Sequence, residues 1–170
     1  MFASPVRRID PQGTTGELEA LSQWLDFHRA TLLMKLEGLE DADLRRPMVP
    51  SGTSLLGLVK HLAETEHGWF CLEFLRLDER PLYETPDDPE AGFRIEPHET
   101  VDEIVQTYLD QCERARKIVA EQASLEIDVP ENLRGRVNLR WILLHMIEET
   151  SRHNGHADIL REMIDGTTGD

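Results

Sequence analysis

Apolar residues recur every three or four positions in four long stretches of the chain. In the first stretch, Gly16 to Leu39, the leucines follow one another at intervals of three, four and seven residues. They are Leu18, Leu21, Leu25, Leu32, Leu36 and Leu39. This period is typical of an α-helix with one buried face. A second helix is predicted to begin at the capping residue Ser54, or at Thr53 before it, and to end near Leu77.

The other two stretches have clear start signals. Thr100 and the glutamate three residues later have the form of a capping box, which predicts a third helix to about Gln122. Asn138 can cap a fourth helix that continues to about Ile164, and Gly166 can end it.

The segments between these helices are rich in proline, glycine and aspartate. The connection between the second and third helices, DERPLYETPDDPEAGFRIEPHE, has 22 residues and four prolines. It exceeds the usual loop length, so it is either functional or partly mobile. No strand of convincing length is predicted. Four long amphipathic helices predict an all-α protein, one four-helix bundle over residues 1–170 with flexible ends at 1–15 and 166–170.

The charge balance excludes some classes of partner. The chain has 33 acidic and 18 basic residues, a formal charge of −15, and such a surface repels nucleic acids and anionic membranes. No apolar run approaches the roughly 20 residues that span a bilayer. The first residues, MFASPVRRIDPQG, lack the apolar core of a secretory signal. We therefore expect a cytoplasmic protein that binds neither nucleic acid nor a membrane. A homodimer is an open alternative to a monomer, because four amphipathic helices often leave an exposed apolar strip.

The two cysteines do not form a recognisable motif. Cys71 and Cys112 are far apart and lie in periodic apolar segments. This placement predicts reduced, packed side chains rather than a disulfide or a zinc finger.

The stretch EETSRHNGHADILRE, residues 148–162, places histidines and carboxylates on the fourth helix. At about 100° per residue, Glu149 lies about 40° and His153 about 80° from His145. The apolar Ile142 lies at about 60°, between them. The polar stripe therefore coincides with an apolar stripe, and Glu149 and His153 are predicted to face inward.

The same geometry separates the histidines of the second helix. His61 shares its face with Leu58 and Trp69, so it is predicted to point inward, whereas His67 lies about 240° away and is predicted to be solvated. His98, in the long connection, is also predicted to be solvated.

A buried, unpaired carboxylate would cost several kcal/mol, and a cation that it shares with imidazoles removes that cost. Glu149 and His153 are four residues apart, so both can reach one ion, and His61 is the inward candidate for a third ligand. Two histidines and one carboxylate leave coordination positions open, as in catalytic sites. A single histidine on an apolar face is more often a hydrogen-bonded core residue than a metal ligand, so the prediction depends on the convergence of two helices. The candidates for the surrounding pocket are His28, Trp69, Arg152 and His156.

Three segments resemble the DinB-like superfamily, and in particular a branch of bacterial proteins that carry a domain of unknown function. They are FHRATLLMKLEGL, VPSGTSLLGLVKHLAETEHGWF and IEETSRHNGHADILREMIDGTTG. The resemblance implies a four-helix bundle with one metal ligand from the second helix and two from the fourth. Many relatives use three histidines. Here Glu149 stands in place of one of them, similar to the His, Glu, His zinc triad of mycothiol-dependent maleylpyruvate isomerase, and the motifs match His61, Glu149 and His153.

Several members of the superfamily are thiol-dependent transferases or isomerases in which a metal binds a small thiol. The resemblance thus implies a metal-dependent S-transferase or isomerase for small electrophiles, with zinc, nickel or iron and with mycothiol or another small thiol. Arg29, Arg152 and the RGR at 134–136 are candidates for gripping an anionic thiol. The alternatives are a non-catalytic, metal-stabilised binding or stress-response bundle and a metal-dependent hydrolase.

Overall fold

Helices make up most of the computed structural model, which describes residues 1–132 and 135–169. The helices are α1 (Glu17–Met34), α2 (Asp41–Arg45), α3 (Leu55–His67), α4 (Val101–Ala120) and α5 (Leu139–Asp165). A π-helical stretch, Gly68–Phe74, directly follows α3. The mainly helical architecture that the periodicity predicts is confirmed. No helix in the described part of the chain is long and apolar enough to cross a membrane.

The predicted capping residues begin and end the helices as their chemistry requires. The Thr100 hydroxyl accepts a hydrogen bond from the backbone amide of Glu103, and the Glu103 carboxylate accepts one from the amide of Thr100. Ser54 and Asn138 each accept a hydrogen bond from the amide three residues on. Gly166 ends α5 with a left-handed φ of 80°, which glycine adopts without steric cost.

Thr100→Ala should lower the free energy of unfolding by about 1 kcal/mol, because one amide at the start of α4 loses its acceptor. Urea unfolding followed by circular dichroism measures this change. Gln106→Ala, an exposed change on the same helix, should alter the midpoint little. Equal midpoints for the two variants would show that the capping box contributes nothing.

A two-stranded antiparallel sheet corrects the expectation that the chain has no strands. β1 (Asp128–Asn132) pairs with β2 (Gly135–Asn138), and Val129 lies opposite Val137. Both valines are buried. The strands are too short for an alternating pattern to emerge, and the proline in DVPEN argues against a strand. The hairpin leads directly into α5.

The long helices pack against one another in pairs. α3 lies against both α4 and α5, and α1 lies against α5. Buried apolar side chains fill two clusters between them, one around Leu56, Leu62 and Tyr108 and the other around Phe70 and Met146 near the hairpin. α3 and α5 are therefore neighbours, and the seam between them holds the predicted ligands.

The long connection between α3 and α4 folds back across α3 and is anchored there. The buried carboxylate of Glu64 accepts backbone hydrogen bonds from Leu82, Tyr83 and Glu84 at 3.0, 2.6 and 3.2 Å. The buried ammonium of Lys60 lies 2.7 Å from a carboxylate oxygen of Glu99. Charged residues of α3 thus hold both ends of the connection.

This connection explains why the prediction for His67 is wrong. His67 is 2% exposed rather than solvated, and its Nε2 lies 3.0 Å from the backbone carbonyl oxygen of Arg80. The helical angle correctly points His67 away from His61, but the face to which it points is covered. His98 is exposed, as predicted.

Both cysteines are free and buried, as predicted. Burial raises the pKa of the Cys112 thiol to about 12 and also raises the pKa of Cys71. Both thiols are therefore protonated at neutral pH.

The residues before α1 contact the rest of the protein through the backbone. Phe2 donates a hydrogen bond to the carbonyl oxygen of Leu39 at 2.8 Å and accepts one from the amide of Gly38 at 2.9 Å. The side chain of Phe2 packs against the apolar cluster.

Candidate metal centre

Glu149 and His153 lie one turn apart on α5 and point toward α3. Each residue is 8% exposed. The Nε2 atom of His153 lies 3.0 Å from Oε1 of Glu149. The four-residue spacing on a continuous helix is what brings the two side chains together.

His61 reaches the same carboxylate oxygen from α3. Its Nε2 atom lies 3.2 Å from Oε1 of Glu149, across a separation of 88 residues in sequence. The candidate ligand atoms of His61, Glu149 and His153 all lie within 4.8 Å of one another. The structure thus brings together the three residues that the sequence predicts.

The spacing of these atoms fits a shared cation. Zinc bonds of about 2.0–2.2 Å in tetrahedral geometry place neighbouring ligand atoms roughly 3.3–3.5 Å apart. The two distances to Glu149 Oε1, 3.0 and 3.2 Å, need to lengthen by only a few tenths of an ångström. The donor set of two nitrogens and one oxygen suits several divalent transition metals.

Both imidazoles of the trio are neutral at pH 7. Burial, together with a smaller effect of the nearby His153, lowers the pKa of His61 to about 4. Burial also lowers the pKa of His153 to about 4, with a contribution from the positive charge of Arg152. Neutral imidazole is the form that binds a metal.

Arg152 neutralises the buried carboxylate. Its Nη2 donates to Oε2 of Glu149, the oxygen that faces away from the two imidazoles. The Arg152 side chain is 52% exposed and also lies 3.4 Å from Glu148. The predicted pocket residue Arg152 is thus part of the site, but its guanidinium already contacts two carboxylates.

His156 contacts the outer side of the site. It is exposed, and its Nδ1 lies 3.3 Å from Nδ1 of His153. His156 is thus next to a candidate ligand rather than a member of the converging trio.

Phe93, from the long connection, covers His61 and was missed by the sequence analysis. Its ring stacks on the imidazole with a centroid distance of 3.9 Å and an interplanar angle of 16°. Gly57, one turn before His61, permits this approach, because a Cβ atom there would lie 2.5 Å from the carbonyl oxygen of Phe93. The available signal was an aromatic residue within a connection of unusual length.

Gly57→Ala should therefore destabilise the protein by about 1–3 kcal/mol, because the added methyl group collides with the backbone of Phe93. Denaturant unfolding measures the loss, and hydrogen exchange around Phe93 should become faster. Gly155→Ala is the matched control, since a Cβ atom there meets nothing within 4 Å. That control should be stabilising by up to about 1 kcal/mol. If Gly57→Ala instead stabilises the protein, the close approach of Phe93 to Gly57 is contradicted.

The other two pocket candidates lie in separate ring clusters. Trp69 contacts His145, at a centroid distance of 4.8 Å, and Trp141, at 5.4 Å. His145 is one helical turn before Glu149, so this cluster lies next to the trio along the α3–α5 seam. His28 stacks on Trp24 of its own helix at 6.0 Å. Burial lowers the pKa of His28.

The remaining basic candidates make other contacts. Arg29 is 4% exposed and pairs with the buried Glu66 through two hydrogen bonds of 2.7 and 2.6 Å. Its guanidinium is therefore already paired inside the protein and does not face a bound thiol. Arg136 pairs with Asp128 in the hairpin, and Arg134 lies outside the described residues.

The protein is therefore mainly helical, and His61, Glu149 and His153 form a candidate metal site. A family model described as mycothiol-S-transferase matches residues 20–166, and the chain belongs to this family. This finding confirms the resemblance to the DinB-like proteins. A crystal structure described as a conserved protein from Enterococcus faecalis has the same fold, with a TM-score of 0.64 and 15% identity, over 91% of this chain and 100% of that one. None of the curated proteins matches the chain significantly.

Proposed function

We propose that the protein is a metal-dependent S-transferase that joins a small thiol of the mycothiol type to small electrophiles. His61, Glu149 and His153 would hold the metal. The observation that carries the proposal is the convergence of their three ligand atoms within 4.8 Å. Membership of the mycothiol-S-transferase family supports the choice of thiol.

The trio has the charge and the number of ligands that this chemistry needs. Two neutral imidazoles and one carboxylate provide three ligands and leave coordination positions for a further molecule. A divalent cation bound there would favour the thiolate form of a small thiol over the thiol at neutral pH. Arg152 would keep Oε2 of Glu149 occupied, so that Oε1 remains directed at the imidazoles.

The nucleophile of the proposed reaction is a thiol from outside the protein. Cys71 and Cys112 are buried, and burial raises the pKa of both thiols. Neither can supply a thiolate at neutral pH. In the proposed transfer, the sulfur of the small thiol forms a bond to an electrophilic carbon. The bond from that carbon to its leaving group breaks with its electron pair, and the thiol proton passes to water.

The substrates would approach from the side of Arg152 and His156, because both residues are exposed. Phe93 covers one face of the His61 ring by stacking on it, and its ring also lies 6.1 Å from that of His153, so it would limit the entry of water there. The Trp69 cluster would lie against substrate atoms that extend toward the start of α5.

We also propose how the four long helices are arranged. α1, α3, α4 and α5 would form one four-helix bundle, which the contacts of α3 with α4 and α5 and of α1 with α5 support. We further propose zinc as the metal and the cytoplasm as the location.

A conjugation assay tests the function. Untagged protein is analysed for metals, then incubated with monochlorobimane and with mycothiol, glutathione or cysteine in turn. Metal-dependent conjugation with mycothiol above the uncatalysed rate is the expected result. If fully loaded protein conjugates no thiol while chelation only lowers the melting temperature, the non-catalytic bundle is correct. Thiol-independent cleavage of ester substrates would instead identify a hydrolase.

A further inference from the structure

The two ring nitrogens of His153 have different partners. Nε2 lies 3.0 Å from Oε1 of Glu149, and Nδ1, across the ring, lies 3.3 Å from Nδ1 of His156. The ring planes of the two histidines are inclined by 69°. Nδ1 of His153, the ring nitrogen that does not face Glu149, therefore lies close to a second imidazole, three residues further along α5.

Only one proton can lie between these two nitrogens. If His153 carries its proton on Nε2, that nitrogen donates to Glu149 and has no lone pair for a metal. If His153 carries its proton on Nδ1, that nitrogen donates to His156, and Nε2 keeps its lone pair. The second arrangement requires an acceptor beside Nδ1, and His156 is placed to be that acceptor.

We propose that His156 is a positioning residue that accepts the Nδ1 proton of His153 and so keeps Nε2 of His153 free for a cation. The inference rests on the proposed metal site and extends it to a residue outside the trio. His156 would carry its own proton on Nε2, on the exposed side of the ring. His153 would then carry its proton on Nδ1 before a metal binds, so metal binding would change the charge of neither imidazole.

The same arrangement recurs at the other ligand on α5. Arg152 follows Glu149 by three residues and holds Oε2, while Oε1 faces His61 and His153. Each α5 ligand is thus held on its outer side by the residue three positions further along the helix. Outer partners of this kind fix the orientation and the proton position of metal ligands.

Zinc affinity measures the effect. Metal-free protein is titrated with Zn²⁺ in competition with a chromophoric chelator. His156→Ala should weaken binding about 10–100-fold. His156→Gln should retain most of the affinity, because its amide oxygen can accept the same hydrogen bond. The control His98→Ala removes an exposed histidine of the long connection and should bind as the wild type does.

A spectroscopic measurement separates positioning from a general structural role. In ¹⁵N-histidine-labelled, zinc-loaded wild type, the NMR shifts of His153 should show the proton on Nδ1. Metal-free His156→Ala should show a larger share of the Nε2–H form than the metal-free wild type does.

Several outcomes would overturn the inference. If His156→Ala binds zinc as tightly as the wild type does, His153 needs no hydrogen-bond acceptor beside its Nδ1. Equal losses in the alanine and glutamine variants indicate packing rather than hydrogen bonding, and complete loss of zinc in His156→Ala would make His156 a ligand. If the wild type itself fails to bind zinc, the proposed function falls together with this inference, whereas wild-type binding that His156→Ala leaves unchanged overturns the inference alone.

Discussion

Glu149→Ala should weaken metal binding by at least about 100-fold and reduce thiol conjugation by a similar factor. Glu149 supplies the oxygen that both Nε2 atoms approach, at 3.2 and 3.0 Å. Without this carboxylate, two neutral imidazoles would face a divalent cation with no compensating charge. Loss of an outer partner alone costs 10–100-fold, so loss of a direct ligand should exceed that range.

Metal-dependent stability provides a second measurement. Zinc at 100 times its dissociation constant should stabilise the wild type by about 2.7 kcal/mol, and this gain should vanish in Glu149→Ala. Glu148→Ala is the matched control, since Glu148 is the neighbouring, exposed carboxylate. It should keep both the metal and the stabilisation. A Glu149→Ala protein that binds zinc as tightly as the wild type would refute the proposed ligand set.

Arg29→Met should destabilise the protein by about 3–5 kcal/mol, because it leaves the carboxylate of Glu66 buried without a partner. The two side chains are 5% and 1% exposed. For a chain of this size, a loss of this magnitude lowers the melting temperature by roughly 6–20 °C. Denaturant unfolding gives the free energy directly.

The double variant Arg29→Met with Glu66→Met distinguishes an unpaired charge from lost packing. It should recover most of the stability, since replacing both members of a buried ion pair by apolar residues is often neutral or stabilising. Arg94→Met removes an exposed arginine that pairs with Asp88 and Glu96 and should cost at most about 1 kcal/mol. A double variant as unstable as Arg29→Met would show that packing, not charge, decides this site.

Much of the site could be predicted because its determinants are local. Capping at Thr100 and Asn138 depends on side chains within three residues of the helix start, so a short pattern suffices. The inward direction of Glu149, His153 and His61 follows from the constant rotation per residue of an α-helix. The angles do not fix the relative height of the two helices, and the structure shows that the three residues lie at the same level.

The features that the sequence analysis missed depend on contacts between distant segments. A helical angle gives the direction of His67 but not what lies in that direction, and here the long connection covers it. The stacking of Phe93 on His61 depends on the path of that connection, which no period encodes. The Arg29–Glu66 pair joins residues 37 positions apart, and each is separately typical of an exposed helix face.

The separation of the ligands along the chain has a consequence for biosynthesis. A nascent polypeptide that has completed α3 contains one of the three ligands, and the other two follow only when α5 has been made, 88 or more residues later. At typical translation rates of 5–20 residues per second, roughly 4–18 seconds pass between the two events. A cation held by all three residues would therefore be acquired late, by a chain whose first three long helices have already emerged.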